Sequence, residues 1–265
     1  MWGAIVGDFV GSIYEHANLK GHTLPLIGPT SHYTDDTVLT VATAQALLKD
    51  QNFIEAYQDW GHRYRNCGFS SNFENWLSMD GLYECQSPGN GAAMRVAPIG
   101  WLCNSEGEVK TMANRSAEPT HHHPDAIRAA QAAALAIFYA RQGMPREMIR
   151  ERLSKQFRYN LNEDLDRLHR EYEFTSVAKW SVPHAIQIAL DSRSFSDCMR
   201  LGLYIGGDTD TICAIAGSIA EVLYPNQIPA ELKSHARHYI EKWAPEMIPV
   251  ISKFELRKPI LINTN

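Results

Sequence analysis

Apolar positions recur at three- and four-residue spacing along most of the 265-residue chain. That is the mark of amphipathic helices, since the apolar positions of a strand alternate. Residues 37 to 49 place Val38, Leu39, Val41, Ala42, Leu47 and Leu48 on one stripe, and 53 to 65 and the alanine-rich 125 to 142 follow the same rule. Local signals predict more helices: Pro145 in the first turn of 145 to 157, Asn162 capping 163 to 172, Pro183 opening 183 to 191 and Ser194 capping 195 to 203. Proline suits a first turn, and a side-chain oxygen can accept from the free first-turn amides. Residues 211 to 223 and 229 to 243 continue the series, and no two-period run lies between hairpin dipeptides. The expectation is an all-α bundle. With no Gly/Ser linker, charge block or low-complexity run, it is a single domain over 1 to 265.

The helical pattern breaks at 16 to 33, 67 to 92 and 104 to 124, where Gly, Pro, His and Ser collect. Irregular segments carried on a rigid scaffold are where binding and catalysis usually sit. Composition then removes whole classes of function. A formal charge of -5, from 25 basic and 30 acidic residues, leaves no basic excess to draw the chain onto nucleic acid or an anionic membrane. The five cysteines, Cys67, Cys85, Cys103, Cys198 and Cys213, show no CxxC spacing and read as free thiols of a reducing compartment. The start "MWGAIVGDFVGSIYE" lacks a basic n-region, and no apolar run reaches 18 residues. A soluble cytoplasmic protein is expected, monomeric and without a membrane partner.

Two helix starts are overloaded with acid. In "YTDDTVLTVATAQALL", Thr34, Asp35, Asp36 and Thr37 stand before an apolar run; in "GGDTDTICAIAGSIAEVL", Asp208, Thr209, Asp210 and Thr211 do the same. Capping explains one acid per helix, because a cap uses one side chain and an anion suits the positive end of the dipole. It does not explain pairs of like charges beside apolar residues, which are costly to bury unless something positive joins them. Lys20, Lys49 and Arg200 are the nearest basic residues and are remote from both motifs. If the two helix starts converge, four carboxylates bring about four negative charges. Two Mg²⁺ or Mn²⁺ ions would balance these, with threonine hydroxyls and water completing the oxygen ligands.

With these motifs in view, the chain resembles the ADP-ribosylglycohydrolases. The resemblance rests, in order, on "GAIVGDFVGSIYE" from Gly3, "YTDDT" from Tyr33, "GNGAAMRVAPIG" from Gly89 and "GGDTDT" from Gly206, with a looser fifth match at "THHHPDAI". It implies an all-α, one-domain fold with two divalent metals in a cleft, hydrolysing the bond that joins ADP-ribose to an acceptor. By motif, Thr34, Asp35, Asp36, Asp208, Asp210 and Thr211 are the expected metal ligands. Glu15 and Asp36 are the expected catalytic pair, with Glu15 acting on the attacking water. "GDFVGSIYE" is similar to the stretch of the ADP-ribosylserine hydrolases whose glutamate sits on a mobile flap. Asp8, on the same first helix, is expected as support behind the ligands or as a hydrogen-bonded core aspartate. Ser87, Gly89, Asn90, Gly91 and Met94 are expected to contact the ADP-ribose.

Read from the residues alone, "SPGNGAAMR" is a loop entering a helix, where glycines let backbone amides approach an anion. Three consecutive histidines cannot all face one ion, so "THHHPDAI" is no zinc site. The resemblance makes His121 the ligand-side histidine, leaving His122 and His123 as a solvated turn before a cap-like Asp125. The implied partner is an ADP-ribosylated protein or a small ADP-ribose conjugate, with nucleic acid only where it carries ADP-ribose. A two-metal phosphodiester hydrolase and a non-catalytic ADP-ribose binder would use a similar constellation.

Overall fold

The computed structural model describes residues 1–17, 19–80 and 85–259. Its elements are helices: α1 (Trp2–Gly11), α2 (Asp35–Lys49), α3 (Phe53–Arg63), α4 (Ser71–Ser78), α5 (Gly91–Met94), α6 (Ala97–Leu102), α7 (Glu106–Ala117) and α8 (Pro124–Arg141). After these come α9 (Arg146–Phe157), α10 (Leu165–Glu171), α11 (Ala178–Asp191), α12 (Phe195–Ile205), α13 (Thr209–Leu223), α14 (Ala230–Trp243) and α15 (Met247–Arg257). The fold is all-α, as expected. Among the described residues no strand forms; isolated bridges between Gln86 and His121 and between Gly89 and Val177 tie loops together. No described helix is long and apolar enough to cross a membrane.

Most predicted helices stand within two residues of their expected ends, and several caps are those read from the sequence. Ser194 Oγ accepts from the amide of Asp197, as predicted. Other boundaries moved. The cap before α10 is Asp164, whose Oδ1 accepts from Arg167 N, while the Asn160 side chain bonds to Asn162 N and to Glu163 and keeps 160 to 163 outside the helix. Pro183 lies inside α11 and does not open it. The upstream turn is held by tertiary contacts, Ala178 N donating to Pro88 O and Gly89 pairing with Val177. His123, not Asp125, caps α8, its Nδ1 accepting from the Asp125 amide, with Pro124 as first helical residue.

Two of the predicted breaks contain helices. α4 starts from a Ser70 cap and α7 from a Ser105 cap that accepts from Glu108 N. In α7 the buried stripe is Val109, Ala113 and Ala117, so narrow and small that polar residues mask it. α15 carries no side-chain cap and was not signalled either.

The core is organised around two helices buried on every side. All of α1 is buried, as is α13 from Thr209 to Val222. They run antiparallel at backbone contact: a Cβ at Gly3 would lie 2.1 Å from Gly217 O, at Gly7 2.0 Å from Cys213 O, and at Gly11 2.2 Å from Thr209 O. The four-residue glycine spacing on α1 therefore matches a four-residue spacing on α13. It brings the C-terminal end of the first helix beside the N-terminal end of the thirteenth.

Gly7→Ala tests this contact with competing signs. Alanine is favoured over glycine in a helix interior by about 1 kcal/mol. The added methyl, however, would meet a backbone carbonyl that no rotamer change can move, and overpacking of that kind costs about 1–3 kcal/mol or more. The expected result is a lower melting temperature; an unchanged or higher one would show that the two helices do not touch in this register.

Candidate active site

At α2, Thr34 is the cap, its Oγ1 accepting from Asp36 N at 3.3 Å. The same hydroxyl donates to Asp8 Oδ1 at 2.9 Å, and Asp8 Oδ2 takes the amides of Thr34 at 2.9 Å and Thr37 at 3.1 Å together with the Thr37 hydroxyl. Asp8 thus caps α2 from another helix. Its carboxylate spends its acceptors on orphan amides and hydroxyls, so the acid of α1 pins the start of α2 to the α1/α13 pair. The hydrogen-bonded reading of Asp8 is the one the geometry supports. Asp35, Asp36, Asp208, Asp210 and Thr211 all line the cleft; Thr34, whose hydroxyl keeps one lone pair free beside these two bonds, stands at the start of the same helix as Asp35 and Asp36.

At α13, Gly206 and Gly207 adopt φ of 72° and 85°, a backbone region that side chains with a Cβ avoid. Both also lie under side chains. The Lys20 stem crosses Gly206 and the Tyr172 ring crosses Gly207, each where a Cβ would stand. Lys20 Nζ donates to the carbonyls of His169 and Tyr172. The lysine nearest the motif therefore binds the backbone of the 169 to 172 segment and balances none of the acids.

The two helix starts converge, although their sequences lie far apart. Thr211 Oγ1 donates to Asp36 Oδ2 at 3.3 Å, and Asn90 Nδ2 donates to Asp208 Oδ2 at 2.8 Å. Glu15, in the turns that follow α1, joins them: single ligand oxygens of Glu15, Asp208 and Asp210 lie within 4.8 Å of one another. Asp8, Asp36, Asp208 and Asp210 are buried, while the Glu15 side chain is 22% exposed.

Burial and then the charge of Asp210 push the carboxyls of Asp35, Asp36 and Asp208 well above the usual carboxylate range. The same two causes, with the charge of Asp8 added, push Glu15 up to about 8. Asp8 rises to about 7 by burial and the charge of Asp210, against the pull of its bonds to Thr37 and Thr34.

Like charges about 4 Å apart repel by about 4 kcal/mol at an effective dielectric near 20, whereas a helix cap is worth about 1 kcal/mol. Capping cannot be why the acids are there. Among the described residues no lysine or arginine forms an ion pair with Asp8, Asp35, Asp36, Asp208 or Asp210. Asp36 Oδ1 is buried without any hydrogen-bond partner. A hard divalent cation supplies what this donor set lacks: positive charge, and an electrophile for an orphan carboxylate oxygen. The residues fit a metal.

The acids line a cavity of about 420 Å³. Ser87, Gly89, Asn90, Gly91, Met94 and His121 line it too, so each residue expected on the ligand side reaches the same space as the carboxylates. Their tasks differ. Ser87 Oγ accepts from Gly89 N, which shapes the loop. The Asn90 amide is committed to Asp208 and to Ser181 Oγ, so Asn90 holds a carboxylate in place. Met94 is 4% exposed and packs into the core at the cavity floor. His122 is exposed and His123 serves as the cap described above.

Several lining residues were not anticipated. Ser70, Asn72 and Phe73 come from α4 and its cap, inside the 67 to 92 break. Phe174, Ser176 and Val177 come from the segment before α11, where Asn90 N donates to Ser176 O and the Gly89–Val177 bridge closes the wall. Nothing in local spacing marks these residues; tertiary contacts between the Ser176 to Ala178 backbone and the Pro88 to Asn90 loop bring the second group to the cleft.

Comparison with known proteins places the chain. The family model described as ADP-ribosylglycohydrolase matches residues 1–257. ADP-ribosylhydrolase ARH3 of Mus musculus is 28% identical, over 86% of this chain and 83% of its own length. ADP-ribosylarginine hydrolase Tri1 of Pseudomonas putida (strain GB-1) is 22% identical, over 84% of this chain and 68% of its own length. A solved ADP-ribosylglycohydrolase-related protein complex shares the fold, with a TM-score of 0.73 at 24% identity over 96% of this chain and 95% of that one. The four motifs quoted from the sequence all fall inside the matched span, and the chain is an enzyme of the ADP-ribosylglycohydrolase family.

Proposed function

We propose that this glycohydrolase is metal-dependent and cleaves the bond between C1″ of ADP-ribose and an acceptor, releasing ADP-ribose. One observation carries the reading: buried carboxylates from two distant helix starts, with Asp36 Oδ1 unpartnered, line one cavity together with the Ser87 to Met94 loop and His121. Asp35, Asp36, Asp208, Asp210 and Thr211 would hold two divalent cations, Mg²⁺ or Mn²⁺, with Glu15 at their edge. When bound, such ions hold ribose hydroxyls and activate water as Lewis acids.

The chain's own residues do the rest. Asn90 keeps Asp208 turned toward the cleft, and Thr211 does the same for Asp36. Glu15, the only partly exposed member of the trio, orients the attacking water and takes its proton. The water oxygen bonds to C1″, and the bond to the acceptor heteroatom breaks with its electron pair leaving on the acceptor. The surrounding carboxylates stabilise the oxocarbenium-like transition state between. The acceptor is a protein side chain such as arginine or serine, or a related conjugate. The protein acts as one cytoplasmic domain, as a monomer.

The deciding experiment incubates the protein with Mg²⁺ and arginine-, serine- and nucleic-acid-linked ADP-ribose, and measures released ADP-ribose with and without EDTA. Release from at least one conjugate, abolished by EDTA and restored by added metal, is expected. Full turnover in excess EDTA would sink the metal dependence. Products cut within the diphosphate would replace the glycosidic reading with a phosphodiesterase one.

A further inference from the structure

Arg95 is an arginine with no exposed surface, sitting 4.0 Å above the Tyr57 ring. It makes no ion pair among the described residues, and its Nε and Nη1 have no partner. All its hydrogen bonding goes through Nη2, which donates to Ser116 O at 2.7 Å and to Thr120 Oγ1 at 2.7 Å. Thr120 Oγ1 in turn lies 2.8 Å from His121 Nδ1. A desolvated guanidinium is thus linked, through one hydroxyl, to the histidine that lines the cleft.

The direction of each bond follows from what the groups can do. Arginine only donates, so the Thr120 oxygen accepts from it. That oxygen could accept a second time, but its own hydrogen has no acceptor other than His121 Nδ1 among its hydrogen-bond partners, so satisfying the buried hydroxyl makes Nδ1 the acceptor. The proton of a neutral imidazole is thereby placed on Nε2. Nε2 is the ring nitrogen on the cleft side: a Cβ at Gly91 would stand 3.0 Å from it and one at Gly89 3.5 Å, so the absent side chains leave it open. The ring's own backbone is pinned by its bridge to Gln86 and by His121 N donating to Ala117 O.

We infer that Arg95 and Thr120 are positioning residues that fix the His121 hydrogen on Nε2, so that this ring meets the substrate as a hydrogen-bond donor to an acceptor oxygen, such as one of a phosphate or a ribose. Burial and the Arg95 charge both oppose protonation of the ring, which keeps it a donor without giving it a positive charge. The relay also accounts for Arg95 itself. Leaving two of its nitrogens unpartnered in the core is costly, and the third is used where it sets a tautomer.

The relay's structural part stands by itself, while its effect on turnover rests on the function proposed above; the two are read separately. In protein labelled with ¹⁵N-histidine, with His121 assigned by its loss in a His121→Gln variant, the two-bond ¹H–¹⁵N pattern at neutral pH should show a neutral ring bearing hydrogen on Nε2. This measurement needs no substrate and no variant of the relay. Hydrogen on Nδ1, or on both nitrogens, overturns the inference whether or not the protein cleaves any conjugate.

Thr120→Val, nearly isosteric, should mix the tautomers and raise KM for the conjugate that is cleaved by about tenfold, the value of one good hydrogen bond. kcat should stay within about twofold, and Thr120→Ser should restore both spectrum and KM. An unchanged spectrum and KM in Thr120→Val overturns the relay. A changed spectrum with unchanged KM overturns the claim that this donor faces the substrate.

Discussion

Glu15→Gln is expected to reduce turnover of the cleaved conjugate by about 10²–10⁴, the usual worth of a positioned general base. The amide keeps the shape of the side chain and its place in the turn after α1, but it can neither take a proton nor present a full negative charge. Because Glu15 is 22% exposed and shares its space with Asp208 and Asp210, the loss should fall on kcat and little on KM. Stability should move the other way. Glu15 is pushed up by burial and by the charges of Asp210 and Asp8, so a neutral side chain removes repulsion, and the metal-free variant should melt at or slightly above the parent. Turnover within about threefold of the parent would remove Glu15 from the chemistry and leave it as one more acid at the cavity mouth.

Asp210→Ala should abolish measurable turnover and also the rise in melting temperature that Mg²⁺ produces. At 100 times its dissociation constant, a cation that binds only the folded state stabilises it by about 2.7 kcal/mol, and this increment should vanish in the variant. Without metal the comparison reverses. The Asp210 charge is among the causes that push up Asp8, Glu15, Asp35, Asp36 and Asp208. Removing it relieves repulsions of a few kcal/mol and gives up one short-range bond, from Thr211 N to Asp210 Oδ1 at 2.8 Å. Metal-free Asp210→Ala is therefore expected to be no less stable than the parent. A helix cap predicts the reverse on both counts: about 1 kcal/mol less stability and turnover intact. Thermal melts with EDTA and with Mg²⁺, run beside the turnover assay, separate the two.

Both expectations rest on a cluster whose members, unlike its shape, were legible in the chain. The acids of "TDDT" and "GGDTDT" announce themselves because like charges standing next to apolar helices have no cheap local explanation. The rest of the cleft has no such mark. Asp8 looks like a stray acid on an apolar helix until its oxygens are found on the amides and hydroxyls of Thr34 and Thr37. Asn90 stands out in the sequence only as part of a glycine-rich loop; that its amide also holds Asp208 is visible only in the fold. α7 hides in the sequence because its buried residues, Val109, Ala113, Ser116 and Ala117, are small, and the first turns of α11, ahead of Pro183, depend on contacts that only the folded chain makes. Arg95 appears as one more basic residue until burial isolates it beside Thr120.

The sequence by itself determined that the protein is helical and that it belongs with the ADP-ribosylglycohydrolases, and it marked two acidic helix starts as the candidate metal site. These are properties of residue type and short spacing, which periodicity and motif express directly. Only the tertiary structure decided that those starts meet, with Glu15 beside Asp208 and Asp210 and His121 lining the same cavity. The physical reason lies in the α1/α13 contact. Glycines four apart on one helix let it lie against the backbone of another some 200 residues later, and the absence of a side chain says nothing in sequence about which partner will fill the space.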